Sequence, residues 1–218
     1  MTTTHHATDE TLMRYAAGTL AAAPAIVVKA HLASCPACRV RIGEYEALGG
    51  ALLEETEPTQ MSATALNDVL AMLDDEDADP ALLAPPPPAP AEIEGIRLPD
   101  ALRGCEIGRW RWIGPGMKMS RVGVPQDPDA NLILLKVGPG RALPDHGHVG
   151  TEFTYIVSGS FSDRFGTFRP GDLAEMNEDV EHQPIVDKDG ECICLAALEG
   201  KMRFKNVIGR MLQPIFGI

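Results

Sequence analysis

The stretch Gly140-Arg-Ala-Leu-Pro-Asp-His146-Gly-His148-Val-Gly-Thr-Glu152, with Gly159 seven residues further on, decides the reading of the C-terminal half. His146 and His148 alternate on an extended segment, so their side chains point the same way. Glu152 has the same parity if the extension continues, and one strand could then aim all three groups into an interior. Pro170-Gly171-Asp172 predicts a turn that opens a strand, and His182 follows ten residues after Asp172, ending a neighbouring one. Three imidazoles and a carboxylate are hard-to-borderline donors that suit Zn²⁺, Mn²⁺, Fe²⁺ or Ni²⁺.

The segments around this stretch are β in pattern. Asn131 to Val137, Glu152 to Val157 and Glu191 to Leu198 are short apolar runs separated by Gly, Pro and Asp. Six or more short strands in about 120 residues predict a sandwich or barrel. Cys192 and Cys194 fall on one strand face and read as small buried hydrophobes, or as a redox-sensing pair, although residues two apart on a strand rarely form a good disulfide. Cys105 has no partner in sequence and reads as structural. Trp110 and Trp112 share a parity and read as core or as a barrel lid.

The N-terminal part is helical in pattern. Asp9 is a plausible cap for Thr11 to Ala17, and Gly18 a natural stop. Ala22 to Leu32 and Pro36 to Leu53 read as two further helices. Ser62 can cap a fourth, running to Leu73, in which Ala65, Leu66, Val69, Leu70 and Leu73 recur at helical spacing. The acidic run Asp74-Asp75-Glu76-Asp77 and the prolines from Pro85 to Pro88, with Pro90, then predict an extended linker. The organisation is therefore multidomain α + β: a helical domain over residues 1–75, a linker over 76–95 and a β domain over 96–218.

A second cluster lies in the helical part, at His31-Leu-Ala-Ser-Cys35-Pro-Ala-Cys38. A Cys-x-x-Cys turn presents two thiolates to one ion, and a helix end could bring His31 to the same point. Zinc wants four such donors. His5 or His6 could supply the fourth if the N-terminal segment folds back. The βαβ pattern that a thioredoxin-like redox pair would need is absent.

Composition narrows the function. A net charge of −12 disfavours direct nucleic-acid binding and suits a basic protein partner. Aromatic residues, at 5 %, are too few for a base-stacking platform. No segment reads as a signal peptide or as the roughly 18 apolar residues of a membrane span. A cytoplasmic location is expected, where closely spaced cysteines bind metal rather than pair. Five of the six histidines fall in the two clusters, counting His6, and the sixth, His5, adjoins one.

His31-x-x-x-Cys35-x-x-Cys38 with an upstream histidine resembles the zinc anti-sigma family. The resemblance implies a small helical bundle with zinc on His6, His31, Cys35 and Cys38, clamping an alternative sigma factor of the extracytoplasmic-function type. Residues 140–159, with Gly171, Asp172 and His182, resemble the two motifs of the cupin family. That resemblance implies a β-barrel with a divalent metal on His146, His148, Glu152 and His182: zinc, or manganese, iron or nickel. Asn177 stands where many cupins have proline. Barrels of this kind often dimerise through an edge strand.

Over essentially its whole length the chain is similar to the ChrR-type anti-sigma factors. The resemblance implies a sigma factor sequestered by the helical domain and released under singlet oxygen or related oxidative stress, through the cupin domain. The competing reading is a metal-dependent cupin enzyme, a dioxygenase or isomerase, with a zinc-binding accessory domain. It gives the Cys/His domain no role, and no general base is evident in the sequence.

Overall fold

The computed structural model describes residues 3–73, 89, 91–200 and 202–204. The acidic run at 74–77, the proline run at 85–88 with Pro90, and residues 205–218 lie outside them. Four helices come first: α1 (Asp9–Ala16), α2 (Ala22–Ser34), α3 (Pro36–Glu54) and α4 (Ala65–Leu73). Thr8, not Asp9, caps α1, because its side chain accepts from the Thr11 amide. Asp9 moves into the first turn, where a carboxylate favours the positive end of the helix. Gly18, at φ +68°, follows the helix in the left-handed conformation that stops it. Cys35 ends α2 and caps α3 at once, with Pro36 opening α3. One residue thus sets the corner between two helices. α4 starts at Ala65 rather than Ser62, whose carbonyl closes a turn onto the Ala65 amide.

The rest is β: β1 (Glu92–Ile93), β2 (Ile96–Arg97), β3 (Glu106–Ile107), β4 (Arg111–Gly114), β5 (Met117–Gly123), β6 (Leu132–Val137) and β7 (His146–His148). There follow β8 (Glu152–Ser158), β9 (Phe161–Asp163), β10 (Gly166–Phe168), β11 (Leu173–Met176), β12 (Ile185–Val186), β13 (Cys192–Leu198) and β14 (Met202–Phe204). The β1–β2 hairpin straddles residue 95, the expected end of the linker, because Glu94 and Gly95 both take positive φ and form its turn.

The large antiparallel sheet has the order β11-β8-β13-β6-β5-β3, with β4 also on β5. Opposite it lie β10-β9-β12 and the pair β14-β7, extended by bridges at Ala142–Ile185 and His146–His182. Side chains of both layers line one interior cavity, which is the cupin-type barrel arrangement.

The two parts share a core. β13 is buried along its whole length, and its two faces bury against different things. Leu195 and Ala197 pack in the cluster that holds Val27 and Val28 of α2, while Cys192, Cys194 and Ala196 line the cavity. The outer face of the sheet is thus roofed by a helix, which explains the unbroken apolar run of β13. Trp112 departs from expectation: it is 72 % exposed, not core or lid, while Trp110 packs against the core. Cys105 is half-buried against the same core.

Candidate metal centres

In the helical part, His6, His31, Cys35 and Cys38 each offer one ligand atom, and these atoms all lie within 4.8 Å of one another. His31 sits in the last turn of α2, Cys35 at the shared cap and Cys38 in the first turn of α3. The bend at Cys35 therefore does what the spacing required. His6 arrives on the extended segment before α1, with Nδ1 at 3.2 Å from Cys35 Sγ and 3.6 Å from Cys38 Sγ. His31 Nε2 is 3.3 Å from Cys38 Sγ. His5 turns the other way: its ring lies 4.1 Å from that of Phe168, and its Nδ1 is 3.5 Å from Asp172. Of the two histidines, it is His6 that the structure brings to the cluster with His31, Cys35 and Cys38.

The electrostatics of this cluster suit a cation. Burial keeps the His31 imidazole below its usual pKa, hence neutral and able to donate a lone pair. Burial opposes ionisation of Cys35, but hydrogen bonds from Thr3 and from the Cys38 and Ala37 amides outweigh it and lower the thiol. Burial, then the neighbouring Cys35, push Cys38 up to about 11. Two thiolates cannot coexist here without a positive charge between them. Two sulfurs and two nitrogens at such separations fit a tetrahedral zinc ion.

In the barrel, His146, His148, Glu152 and His182 converge to the same tolerance. The route differs from the single extended strand expected. The chain bends at Gly150, φ +88°, so that the two histidines lie on β7 and Glu152 opens β8. A side chain at Gly150 would collide with the Glu199 carbonyl. His182 lies on the return segment rather than at a strand end, paired with His146 through amide-to-carbonyl bonds of 3.0 and 3.1 Å. Asn177, where many cupins have proline, makes the turn itself: its Oδ1 accepts from the Asp179 amide, and its carbonyl from that of Val180.

Glu152 Oε2 stands 2.8 Å from His148 Nε2, 3.5 Å from His182 Nε2 and 3.9 Å from His146 Nε2. His148 Nε2 and His182 Nε2 are nevertheless buried without hydrogen-bonding geometry. Lone pairs that converge on one point, rather than on one another, fit a metal ion. Burial opposes the charge on Glu152, but the three imidazoles outweigh it and hold the carboxyl well below its usual range. Two of the three imidazoles are oriented from behind, those of His182 and His146. His182 Nδ1 is 2.8 Å from Asp163 Oδ2, and His146 Nδ1 donates to the Pro144 carbonyl at 2.8 Å. Asp163 was missed in the sequence, since it belongs to neither motif and reaches His182 only through the β9–β12 pairing.

Beside this cluster lies a cavity of about 300 Å³. His146, Glu152 and His182 form part of its wall, and the rest is overwhelmingly apolar, including Met117, Met119, Leu135, Phe161, Cys192 and Cys194. Burial pushes Cys192 up to about 12 and holds Cys194 well above the usual thiol range, so both thiols are protonated.

A ChrR cupin-like domain model matches residues 101–200, and a zinc-finger model matches residues 6–39. The chain is 39 % identical over 222 aligned positions to the anti-sigma-E factor ChrR of Cereibacter sphaeroides, covering 100 % of both chains. It also matches the crystal structure of Rhodobacter sphaeroides SigE in complex with the anti-sigma ChrR, at 39 % identity and a TM-score of 0.72, over 91 % of this chain and 100 % of that one. A helical Cys/His module joined to a cupin module, in this order and over this length, places the chain in the family of ChrR anti-sigma factors.

Proposed function

We propose that the helical part sequesters an alternative sigma factor of the extracytoplasmic-function type, and that the barrel senses the oxidative signal that ends the sequestration. The observation that carries the first half is the unburied apolar surface of α3 and α4. Leu48, Leu52 and Leu53 on α3, and Leu66, Val69 and Met72 on α4, are all between 54 % and 70 % exposed. Apolar surface on this scale in a chain with a well-filled core is a docking surface. The net charge of −12 favours a basic partner. The ChrR of the related crystal structure is bound to a sigma factor, SigE.

His6, His31, Cys35 and Cys38 would hold zinc with no coordination position left over, so its role is structural. Joined to the ion, the four residues fix the angle between α2 and α3, and hence the direction in which the apolar face of α3 points. Such a protein works in the cytoplasm, beside RNA polymerase. No described helix is long and apolar enough to cross a membrane.

His146, His148, Glu152 and His182 would hold the second divalent ion, zinc, manganese, iron or nickel, which when bound supplies a Lewis-acidic centre at the cavity wall. The apolar cavity supports singlet oxygen as the signal, because a small uncharged diatomic partitions into such a space without desolvation cost. Among the described lining residues, no carboxylate, imidazole or amine stands outside the ligand set. That favours a sensor over an enzyme, which would need a separate acid or base. Release then requires that the reacted barrel bind the sigma-holding state less well than the resting one.

Co-purification with the sigma factor encoded beside this protein, with metal analysis of the complex, tests the proposal. A stoichiometric complex with zinc retained and loss of the complex on illumination with a photosensitiser is expected. An intact, metal-loaded barrel whose complex survives illumination would overturn the sensing half. Failure to form a complex would overturn the whole.

A further inference from the structure

We propose that the barrel supplies the outer shell of the helical zinc site, with Gly171, Asp172 and Glu175 as positioning residues for His31 and His6. The inference rests on the zinc reading above and goes beyond it, because none of these three residues is a ligand and all belong to the other domain.

Two of the four ligands are held from across the junction. His31 Nδ1 donates to the Gly171 carbonyl at 2.8 Å, deep in the interface. That bond puts the proton on Nδ1 and leaves Nε2 free for the thiolate cluster. His6 is exposed and lies on a segment with no helical hydrogen bonds of its own. The segment is instead stitched to the barrel on both sides of His6. Before it, Asp172 Oδ1 accepts from the amides of Thr4 at 2.7 Å and His5 at 3.2 Å. The Leu173 amide donates to the His5 carbonyl at 3.3 Å. After it, Glu175 accepts from the Thr8 amide at 2.9 Å, the Thr8 hydroxyl at 2.7 Å and the Thr11 hydroxyl at 2.8 Å. His6 is therefore suspended between two carboxylates of one β-strand and the turn before it.

The fit at the turn is tight. Gly171 has φ +97°, and a Cβ there would lie 3.1 Å from Thr3 and 3.3 Å from Ser34. The same strand touches the other metal centre. In the β8–β11 register Met176 pairs with Glu152 and Glu175 with Phe153. Any displacement of β11 that accompanies a change at Glu152 is thus delivered directly to the segment that carries His6.

Cobalt-substituted protein separates the two sites, because only the helical one has sulfur donors and so only it gives a thiolate-to-cobalt absorption band. Wild type, Glu175→Ala, Glu175→Gln and Asp172→Asn are titrated with a competing chelator while that band is followed, and far-UV circular dichroism checks the fold. Glu175→Ala should weaken metal retention at the thiolate site by about 10–100-fold, the usual cost of a lost outer-shell partner. Glu175→Gln, which keeps one acceptor oxygen, should restore part of the loss. Asp172 also caps its own turn through the Arg169 amide, so Glu175 is the cleaner probe. A wild-type band with retention unchanged within twofold in Glu175→Ala and Asp172→Asn would overturn this inference alone. Absence of any thiolate band in wild type would overturn the zinc reading and this inference with it.

Discussion

The two clusters have the same number of donors and the same compactness, yet they differ in donor chemistry and in surroundings. The helical cluster has soft donors and sits at a helix corner, with His31, Cys35 and Cys38 buried and His6 exposed. The barrel cluster has harder donors and forms part of the wall of a cavity of about 300 Å³. A closed donor set can only hold a shape, whereas an open one can meet a small molecule. Under the proposed function, the difference gives a structural role to one end of the chain and a responsive one to the other.

The comparison breaks most sharply at Cys35. Cys35→Ser removes a thiolate and alters the residue that links α2 to α3, so sigma binding should fall by about 100-fold or more, since structural zinc contributes folding free energy outright. Isothermal titration with the sigma factor would show it, and near wild-type affinity would place the helical cluster outside the binding function. His182→Ala should halve the metal content while leaving sigma affinity in the dark within about threefold, because it leaves the helical donors and the exposed faces of α3 and α4 in place. Its complex should persist under photosensitised light, followed by transcription from a sigma-dependent promoter. Asp163→Ala keeps all four donors but frees the His182 ring, and should weaken barrel metal by about 10–100-fold in a chelator competition. Ser34→Ala removes the 3.0 Å contact with the Tyr155 hydroxyl across the junction, and should cost about 1 kcal/mol in denaturant unfolding with no change in metal content.

Much of this architecture was legible because the chemistry is local. His31, Cys35 and Cys38 lie within one helix corner, and a spacing of four and three residues suffices to bring them together. The barrel donors were legible as a set, but their route was not. Strand parity cannot foresee that Gly150 breaks the extension and passes Glu152 to another strand. Thr8 displaced Asp9 as the cap because both are good capping residues one position apart. Trp112 ended exposed because the pairing of β4 on β5 leaves it on the outer side, which parity alone does not choose. The contacts of Asp172 with Thr4 and of Glu175 with Thr8 span more than 160 residues, and no local pattern announces them.

The turn at Gly171 bears on how such a chain could be rebuilt. Thr3 and Ser34 come from the helical half and sit within a side chain's width of a glycine in the other half. Recombining this helical module with a different barrel would bring a foreign turn against that surface, and a residue larger than glycine there would be strained at φ +97° and would crowd Thr3 and Ser34. The two halves are therefore a co-adapted pair rather than interchangeable parts, and a chimera would succeed only if the glycine turn and the surface facing it were inherited together.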